Sequence, residues 1–366
     1  MTSIPAPDSF AARLLAWFDQ HGRHDLPWQV QDDPYKVWVS EIMLQQTQVK
    51  TVLQYFDRFM TRFPTVQDLG RADWDEVAPY WAGLGYYARA RNLHKAAGVV
   101  TAVGQFPDTL AGWTALSGIG PSTAGALMSL GLRKFGVIMD GNVKRVLTRW
   151  QAIEGDSAKP AVTKPLWQLA ERLTPQQRNA DYTQAIMDLG ATVCTPKKPL
   201  CLYCPLQHDC QALAQGRVLE FPQKSTRKAT PVRSARVLIL PAHHTGHGSD
   251  TPNWLWLQRP AEGLWGGLWC LPIIESDAMW TLLQHRYGSL LKYSAQIRHT
   301  FTHFTWELQA VQLTVDASHA ESLLMELAPD THSPTLRWMS ADHAIASGIP
   351  QAMHKLLEAT NAAQIG

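Results

Sequence analysis

Four of the five cysteines in the chain lie close together, with the spacing Cys194-x6-Cys201-x2-Cys204-x5-Cys210. Thiols grouped in this way are typical of a metal site in a reducing compartment, and not of the disulfide framework of a small secreted protein. Zinc also accepts four thiolates, but zinc sites usually pair one C-x2-C with a distant second one. The compact and uneven spacing therefore favours one loop around a 4Fe-4S cluster. The fifth cysteine, Cys270, is predicted to be a small buried apolar residue.

A single carboxylate, Glu41, interrupts an apolar run that predicts a helix over 35–50. Its neighbours at helical spacing include Val37, Trp38 and Leu44, so the carboxylate lies on or beside the buried stripe. A carboxyl group in apolar surroundings keeps its proton to higher pH, as a general acid at neutral pH must. The alternative is a glutamate at the edge of the stripe that reaches solvent, which is the commoner case on pattern alone.

A second acidic residue, Asp140, stands at the head of the helical pattern DGNVK, downstream of the glycine hairpin LSGIG. Gly118 and Gly120 can adopt positive φ, and the backbone N–H groups of such a turn can bind a phosphate at a helix start. An ordinary turn between two helices explains the hairpin equally well. Asp140 is also a favoured helix N-cap without any catalytic role.

Polar and aromatic side chains at two further places suit a nucleic acid. Gln45 and Gln46 follow the apolar run, where amides could meet base edges or simply face solvent. The string GLGYYARARN joins Tyr86 to Arg89 and Arg91, a combination that suits insertion into a base stack beside phosphates. The alternative for this string is a helix N-terminus with packed tyrosines.

Periodicity divides the chain into two kinds of structure. The first part is predicted to be all-α, without convincing strand alternation before residue 230. The basic, proline-containing segment 226–234 is predicted to be a linker, and short apolar strands and a hairpin over 298–315 follow it. The predicted helices cover 9–21, 35–50, 52–63, 74–82, 161–173, 182–191, 278–287 and 350–359.

Composition sets wider limits. The chain has 366 residues, 45% hydrophobic and 17% charged, which is typical of a soluble protein with more than one domain. A net charge of +2 is too small to indicate nucleic-acid binding by itself, so phosphate contacts must be local. The N-terminus does not resemble a secretory signal and no apolar stretch is long enough to span a membrane, so we expect a cytoplasmic protein.

Together, the hairpin LSGIG, Asp140 and the cysteine loop resemble the helix-hairpin-helix DNA glycosylases of the endonuclease III superfamily. The strings SEIMLQQTQV, GLGYYARARN and DGNVKRVL are similar to those of MutY-type adenine DNA glycosylases. The resemblance covers nearly the whole chain. It implies an all-α glycosylase core with an iron–sulfur loop and a C-terminal α+β Nudix-like domain. The implied parts are a glycosylase region over 1–225 (a six-helix subdomain over about 30–140 and an iron–sulfur subdomain from 1–29 and 141–225), a linker over 226–234, and a lesion-recognition domain over 235–366.

The resemblance also implies a reaction, the removal of adenine paired with 8-oxoguanine or guanine. A flipped-out adenine would receive a proton at N7 from Glu41, and Asp140 would stabilise the oxocarbenium-like sugar or bond to it. Asn142 would orient the carboxylate or the water. Bifunctional members carry a lysine at the position of Ser122, and a hydroxyl cannot form a Schiff base, so we expect a monofunctional enzyme. Lys144 could still trap an opened abasic sugar.

The implied partner is double-stranded DNA that contains A:8-oxoG or A:G mispairs. We expect one 4Fe-4S cluster per chain, a monomer, no membrane association, and a bacterial cytoplasmic location on the nucleoid. Gln46 and Tyr86 would fill and wedge the duplex beside the lesion. The full set of expected DNA contacts is Gln45, Gln46, Tyr86, Arg89, Arg91, Gly118, Gly120, Ser122 and Lys144.

The C-terminal domain is expected to bind and not to hydrolyse. Its segment IIESDAMWTLLQHRYG lacks the carboxylate set of a working Nudix helix. The family reads 8-oxoguanine with a Phe-Ser-His loop, and this chain has Phe301, Thr302 and His303 there, so the hydroxyl is kept and a methyl is added. A solvent-facing strand histidine is the alternative for His303.

Two rival functions follow from the same features. One is an endonuclease III-like lyase for oxidised pyrimidines, against which Ser122 and the C-terminal domain argue. The other is a catalytically silent DNA-binding protein with an iron–sulfur sensor, against which the retention of both Glu41 and Asp140 argues.

Overall fold

A computed structural model gives the architecture of the chain. It describes residues 7–29, 33–224, 230–242, 253–260, 263–301, 303–327 and 335–365. The chain divides into two compact units. The first unit comprises Met1–Arg71 and Asn92–Arg227, and the second comprises Ala72–Arg91 and Lys228–Gly366.

The predicted fold class is confirmed, because helices fill the first part of the chain and the described strands follow it. The helices up to residue 214 are α1 Pro7–His21, α2 Pro34–Leu44, α3 Val49–Arg62, α4 Val66–Arg71, α5 Trp74–Trp81, α6 Tyr87–Val103, α7 Leu110–Thr114, α8 Pro121–Ala126, α9 Gly141–Trp150, α10 Pro160–Leu173, α11 Asn179–Asp188 and α12 Gln211–Ala214. Two π-helical turns, Leu127–Gly131 and Leu189–Val193, extend α8 and α11.

One core of the first unit holds the helix that begins after Asp140. The helix predicted over 9–21 is observed as α1, and its Phe10 and Leu14 are fully buried. The ring of Phe10 packs edge-on against Trp150 at the end of α9, with centroids 4.7 Å apart. Aromatic pairs of this kind add to the free energy gained by burying their area. This core therefore fixes the direction of α9.

Helix α2 ends earlier than predicted. Asp33 caps its start by accepting a hydrogen bond from the N–H of Lys36, but the helix stops at Leu44 and not near residue 50. The reason is Gln46, whose φ of 60° is left-handed and breaks the helical hydrogen-bond pattern before α3 begins. The glutamines that follow Glu41 therefore lie in a turn.

The described part of the second unit contains two sheets and five further helical elements. Its strands and helices are β1 Val232–Ile239, β2 Asn253–Gln258, β3 Trp269–Cys270, β4 Ile273–Ile274, α13 Asp277–Tyr287, a 3-10 turn Gly288–Leu290, β5 Leu291–Thr300, β6 Thr305–Leu313, α14 Ala317–Leu327, β7 Leu336–Ser340, α15 Ala341–Ser347 and α16 Gln351–Ile365. The two sheets have the strand orders β4-β1-β6-β5 and β3-β2-β7.

The central pair of the larger sheet explains its long apolar runs. Strand β1 pairs in parallel with β6, and Val237, Leu238 and Ile239 are all buried. A strand covered on both faces reads as a continuous apolar run. Strand β1 begins at Val232, inside the segment predicted to be a linker, because its first residues already pair with Thr305 and its neighbours. The predicted hairpin is confirmed as the antiparallel pair β5–β6.

Segment Ala72–Arg91 belongs to the second unit through specific contacts. The indole N–H of Trp74 donates to the Gly267 carbonyl at 3.3 Å. The hydroxyl of Tyr87 donates to the Ile349 carbonyl at 3.5 Å. An added Cβ at Gly267 would lie 2.6 Å from the Arg91 guanidinium, so the Arg91 side chain would have to move. No sequence pattern indicated this grouping.

Candidate active site

A cavity of about 690 Å³ in the first unit brings the two predicted catalytic carboxylates together. It is lined by Glu41 from α2 and by Asp140 and Asn142 from the start of α9. Ser122 at the start of α8 and Gln45 complete the predicted residues along its wall. A volume of this size suits one small molecule or one extruded base.

Glu41 lies on a helix whose inner face is buried. Val37, Trp38 and Ile42 around it are almost inaccessible to solvent. Burial raises the pKa of Glu41 to about 7, and the negative charge of Asp140 contributes in the same direction. The carboxyl group therefore holds a proton over much of the neutral range, since loss of that proton would leave a poorly solvated charge beside another.

Asp140 is the N-cap of α9 and also lines the cavity. Its Oδ1 accepts a hydrogen bond from the N–H of Val143 at 2.7 Å, and its Oδ2 accepts one from the Asn142 amide at 3.2 Å. Burial raises the pKa of Asp140, while these two N–H donors and the guanidinium of Arg145 oppose the rise. The donors and the helix dipole favour the ionised form. The negative charge of the pair is therefore stabilised mainly on Asp140.

Arg145 fixes the amide of Asn142 and was not predicted. Its Nη2 donates to Asn142 Oδ1 at 2.8 Å and to the Gly190 carbonyl at 2.6 Å. Its Nε donates to the carbonyl of Cys194 at 2.7 Å. Because the amide oxygen is occupied, the amide nitrogen of Asn142 faces Asp140. The position of Arg145 within DGNVKRVL gave no hint of this role.

Two further residues that line the cavity, Arg23 and Gln184, belong to a buried polar network that was also missed. Asp188, which is 1% exposed, accepts hydrogen bonds from the backbone N–H and the Nε of Arg23 at 2.8 and 2.9 Å. Gln184 Nε2 donates to the same carboxylate at 2.8 Å. The amide oxygen of Gln184 is therefore the atom that remains to accept from a ligand. The one sequence feature that could have indicated this network is the carboxylate of Asp188 inside an apolar helical pattern.

The hairpin uses one of its two glycines for a left-handed turn. Gly118 has φ of 79°, and a Cβ there would lie 2.6 Å from Asn92 Cβ. Gly120, by contrast, has extended backbone and is the N-cap of α8. Ser122 follows in the first turn of α8, and its hydroxyl oxygen accepts a hydrogen bond from the N–H of Met139 at 2.9 Å.

Two residues whose side chains are expected to enter DNA have the same unusual backbone conformation. Gln46 in the first unit and Tyr86 in the second both have left-handed φ, 60° and 51°. Both are exposed, and Tyr86 is 52% accessible to solvent. Non-glycine residues hold such conformations at a cost of about 1 to 3 kcal/mol, and they cluster at functional sites.

The two predicted arginine contacts lie against aromatic rings of their own unit. The guanidinium of Arg89 lies 5.3 Å from the ring centre of Tyr86, and that of Arg91 lies 5.4 Å from Trp74. Burial lowers the pKa of both groups. Lys144, the remaining predicted cation, is partly exposed in the first turn of α9.

The four clustered cysteines surround one small cavity in the first unit. Arg149 lies beside them, and its Nη1 donates to Cys194 Sγ at 3.3 Å. Among the described residues, no three His, Cys, Asp or Glu side chains are close enough together to hold a metal ion. A cluster needs its ligands further apart than a single ion does, and four thiols that line one cavity, with a cation at its edge, are a donor set that fits an iron–sulfur cluster. Cys270 is buried, as predicted, in the core of the second unit.

The loop expected to read 8-oxoguanine joins β5 to β6. Phe301 is half-buried against Trp265 and Trp306, with ring centres 5.5 and 5.7 Å away. His303 is exposed. Thr302 lies outside the described residues.

Comparison with known proteins identifies the family. Residues 39–172 match the family of HhH-GPD superfamily base excision DNA repair proteins, and residues 248–359 match the NUDIX domain. The chain is 33% identical to the adenine DNA glycosylase of Buchnera aphidicola (strain APS from Acyrthosiphon pisum), over 95% of this chain and 97% of that protein. It is also 33% identical to the human adenine DNA glycosylase, over 98% of this chain and 75% of that protein. The chain belongs to the adenine DNA glycosylase family.

Solved structures agree with this fold. A thermostable thymine-DNA glycosylase superimposes with a TM-score of 0.52 at 28% identity, over 57% of this chain and 97% of that one. A trapped endonuclease III–DNA covalent intermediate does so with a TM-score of 0.50 at 18% identity, over 59% and 99%. The predicted resemblance, the fold class and the enzyme class, a DNA glycosylase of base excision repair, are confirmed. Within the described ranges, no helix has the length and apolarity to cross a membrane.

Proposed function

We propose that the enzyme is a monofunctional glycosylase that hydrolyses adenine opposite 8-oxoguanine or guanine. One observation carries the proposal: Glu41 and Asp140 line the same cavity, and burial raises the pKa of both, but N–H donors oppose that rise at Asp140. The pKa of Glu41 is raised to about 7 by burial, whereas Asp140 receives hydrogen bonds from two N–H donors. A neutral acid and an ionised carboxylate side by side are the pair that cleavage of an N-glycosidic bond requires.

In the proposed reaction, adenine leaves the stack and enters the cavity. Glu41 transfers its proton to N7, and the C1′–N9 bond breaks as its electron pair moves to the protonated base, which departs neutral. The positive charge left on the sugar is stabilised by the Asp140 carboxylate. Water then supplies the hydroxyl at C1′ and releases a proton. Asn142, held by Arg145, keeps the carboxylate in position.

The reaction stops at base removal because Ser122 offers no amine to the sugar. Its hydroxyl oxygen is already occupied by the N–H of Met139. Lys144 lies in the same helix turn as Asp140 and accounts for any faint adduct that borohydride traps. We therefore expect little or no strand cleavage.

Several side chains are proposed to hold the DNA. Gln46 and Tyr86 would fill and wedge the duplex, and their exposed, left-handed turns support this role. The hairpin would bind the phosphate backbone through its N–H groups. The loop Phe301–His303 would bind 8-oxoguanine on the opposite strand, with Phe301 fixed by its aromatic neighbours and His303 free to reach outwards.

The cluster ligands are proposed to be Cys194, Cys201, Cys204 and Cys210. When bound, a 4Fe-4S cluster can carry one electron, but base hydrolysis needs no electron transfer. Its thiolate bonds would brace the segment after α11, and this segment is tied to α9 through Arg145 and Arg149. About four iron atoms per chain and a broad brown absorbance are expected, as Cys₄ ligation implies. Stoichiometric zinc would refute the assignment.

The test of the proposed function is single-turnover excision on four duplexes, which contain A:8-oxoG, A:G, A:T and thymine glycol. We expect fast release of adenine from the first two and no release of thymine glycol. Release from thymine glycol without release from A:8-oxoG would show an endonuclease III-like lyase instead. The enzyme is expected to act as a monomer on DNA in the bacterial cytoplasm, and sedimentation with and without the duplex tests its state.

A further inference from the structure

An exposed arginine in the larger sheet of the second unit has no part in the proposed reaction. Arg233 lies near the start of β1, and its guanidinium lies 4.6 Å from the ring centre of Phe304. Phe304 in turn packs against Phe301, and the two ring centres are 4.7 Å apart. One aromatic ring therefore separates this cation from the loop Phe301–His303.

The register of the sheet explains the position of this cation. Arg233 is paired with Trp306 on β6, and Trp306 is paired with His299 on β5. Paired residues point to the same face of a sheet, so Arg233 lies on the face where Trp306 packs edge-on against Phe304. Successive side chains of a strand point to opposite faces, so the next residue of β6, Glu307, points away from Arg233.

The guanidinium is held in place but is not neutralised. Within the described ranges, no carboxylate forms an ion pair with Arg233. Residues 221–234, which include it, contain four lysine or arginine residues and no acidic residue. An arginine that stacks on a ring keeps its N–H edge free for the oxygens of a phosphate. Because the ring already restricts the side chain, less rotamer freedom is lost when an anion binds.

A nucleotide read by the loop carries a phosphate on each side of its sugar. We propose that Arg233 binds a backbone phosphate next to 8-oxoguanine, on the strand opposite the adenine. The inference rests on the proposed function, because the loop Phe301–His303 brings that strand to this face of the sheet. A phosphate contact fixes the position of a strand but reads no base. Arg233 should therefore contribute equally when guanine replaces 8-oxoguanine.

The first measurement is the affinity for A:8-oxoG and A:G duplexes as a function of salt. A 2′-fluorine on the adenosine disfavours the oxocarbenium-like transition state, so the base stays attached during the titration. Arg233→Gln should weaken both duplexes about tenfold at low salt. It should also reduce the slope of log K against log salt by about 0.9, the value for one phosphate. Arg233→Lys keeps the positive charge and should keep the slope.

Arg298→Gln is the matched control. Arg298 is an exposed arginine of β5 in the same sheet, but it is paired with Glu307 and therefore points to the opposite face. Its loss changes the net charge by the same amount, yet both affinities should stay within about twofold of wild type, since exposed charges away from the contact are screened. Thermal melting confirms that each variant is folded.

The second measurement locates the contact on the DNA. An uncharged methylphosphonate replaces, one at a time, the phosphates on either side of 8-oxoguanine. At the contacted phosphate, wild type should lose about tenfold in affinity, whereas Arg233→Gln should lose less than about twofold more, because its interaction is already gone.

Two results would overturn the inference. One is equal loss of affinity by wild type and Arg233→Gln at both phosphates. The other is an Arg233→Gln enzyme that changes the preference for 8-oxoguanine over guanine but keeps the salt slope of wild type. Failure of the proposed lesion reading would show elsewhere, as a His303→Ala enzyme with an unchanged preference, so the two failures are distinguishable.

Discussion

The pocket of the first unit and the Phe301–His303 loop of the second unit place polar side chains in opposite settings. In the pocket, Glu41 and Asp140 are enclosed, and burial changes their acidity. In the loop, His303 is exposed on a turn and only Phe301 is held by packing. Chemistry needs groups with altered pKa, and therefore burial, whereas recognition needs groups that can reach a partner. Substitutions in the pocket should change rates, and substitutions in the loop should change discrimination.

The largest effect is expected for Glu41→Gln. The amide keeps the shape of the side chain but has no proton to transfer, so single-turnover excision of adenine should fall by about 10³- to 10⁴-fold. Binding of the A:8-oxoG duplex, followed by a gel-shift titration, should stay near that of wild type. If the Glu41→Gln enzyme stays active, Glu41 is not the general acid, and the contrast between a catalytic pocket and a recognition loop fails.

The next largest effect is expected for Asp140→Asn. This substitution keeps the helix cap but removes the negative charge. Asparagine caps helices as well as aspartate, so the melting temperature should hardly change. The rate should still fall by about 10²- to 10³-fold, because the charge that stabilises the sugar cation is gone. Asp140→Ala is the contrasting variant and should also lose about 1 kcal/mol of unfolding free energy. Equal activity of Asp140→Asn and wild type would reduce Asp140 to a cap.

Asp188→Asn tests whether the negative charge of Asp188 stabilises the network with Arg23 and Gln184, which the sequence did not predict. Asparagine cannot satisfy all the donors of Arg23 and Gln184, so the unfolding free energy should fall by about 2 kcal/mol in urea titrations. Asp19→Asn is the control, since it breaks an ion pair with Arg178 that is about half exposed. It should leave the unfolding midpoint unchanged. Similar midpoints for both variants would show that the buried network adds nothing.

The smallest effect is expected for His303→Ala in the loop. The ratio of excision rates or affinities for A:8-oxoG over A:G should fall by about tenfold, the size of one hydrogen bond to a partner. Excision from A:G should remain near wild type, because the pocket is untouched. Thr302→Ser is the matched control and should keep the ratio. A loss shared equally by both duplexes would place His303 outside recognition of the lesion.

Short-range features of the fold were predictable from the sequence. The buried face of α1 follows from apolar spacing, and the cap at Asp140 follows from its place before a helical pattern. The pairing of Glu41 with Asp140 came from the family resemblance, since no local rule joins residues so far apart. The fold class and the family were reached in the same way and are confirmed.

Other features depend on contacts that periodicity does not encode. Helix α2 ends at Leu44 because Gln46 is left-handed, yet no glycine or proline marks the turn. Asp188 binds a backbone N–H of a distant loop, which no side-chain pattern reveals. Trp74 joins its segment to the second unit through the Gly267 carbonyl. Each of these features is settled by packing between distant parts of the chain.

The central claim is that burial and Asp140 keep Glu41 protonated at neutral pH. The most direct measurement is the single-turnover rate of adenine excision as a function of pH, on an A:8-oxoG duplex. The protonated form is the active one, so the rate should be constant below the pKa of about 7 and fall tenfold per pH unit above it. On the acid side the plateau should end where Asp140 takes up a proton. A rate that stays constant from pH 6 to pH 9 would contradict the account.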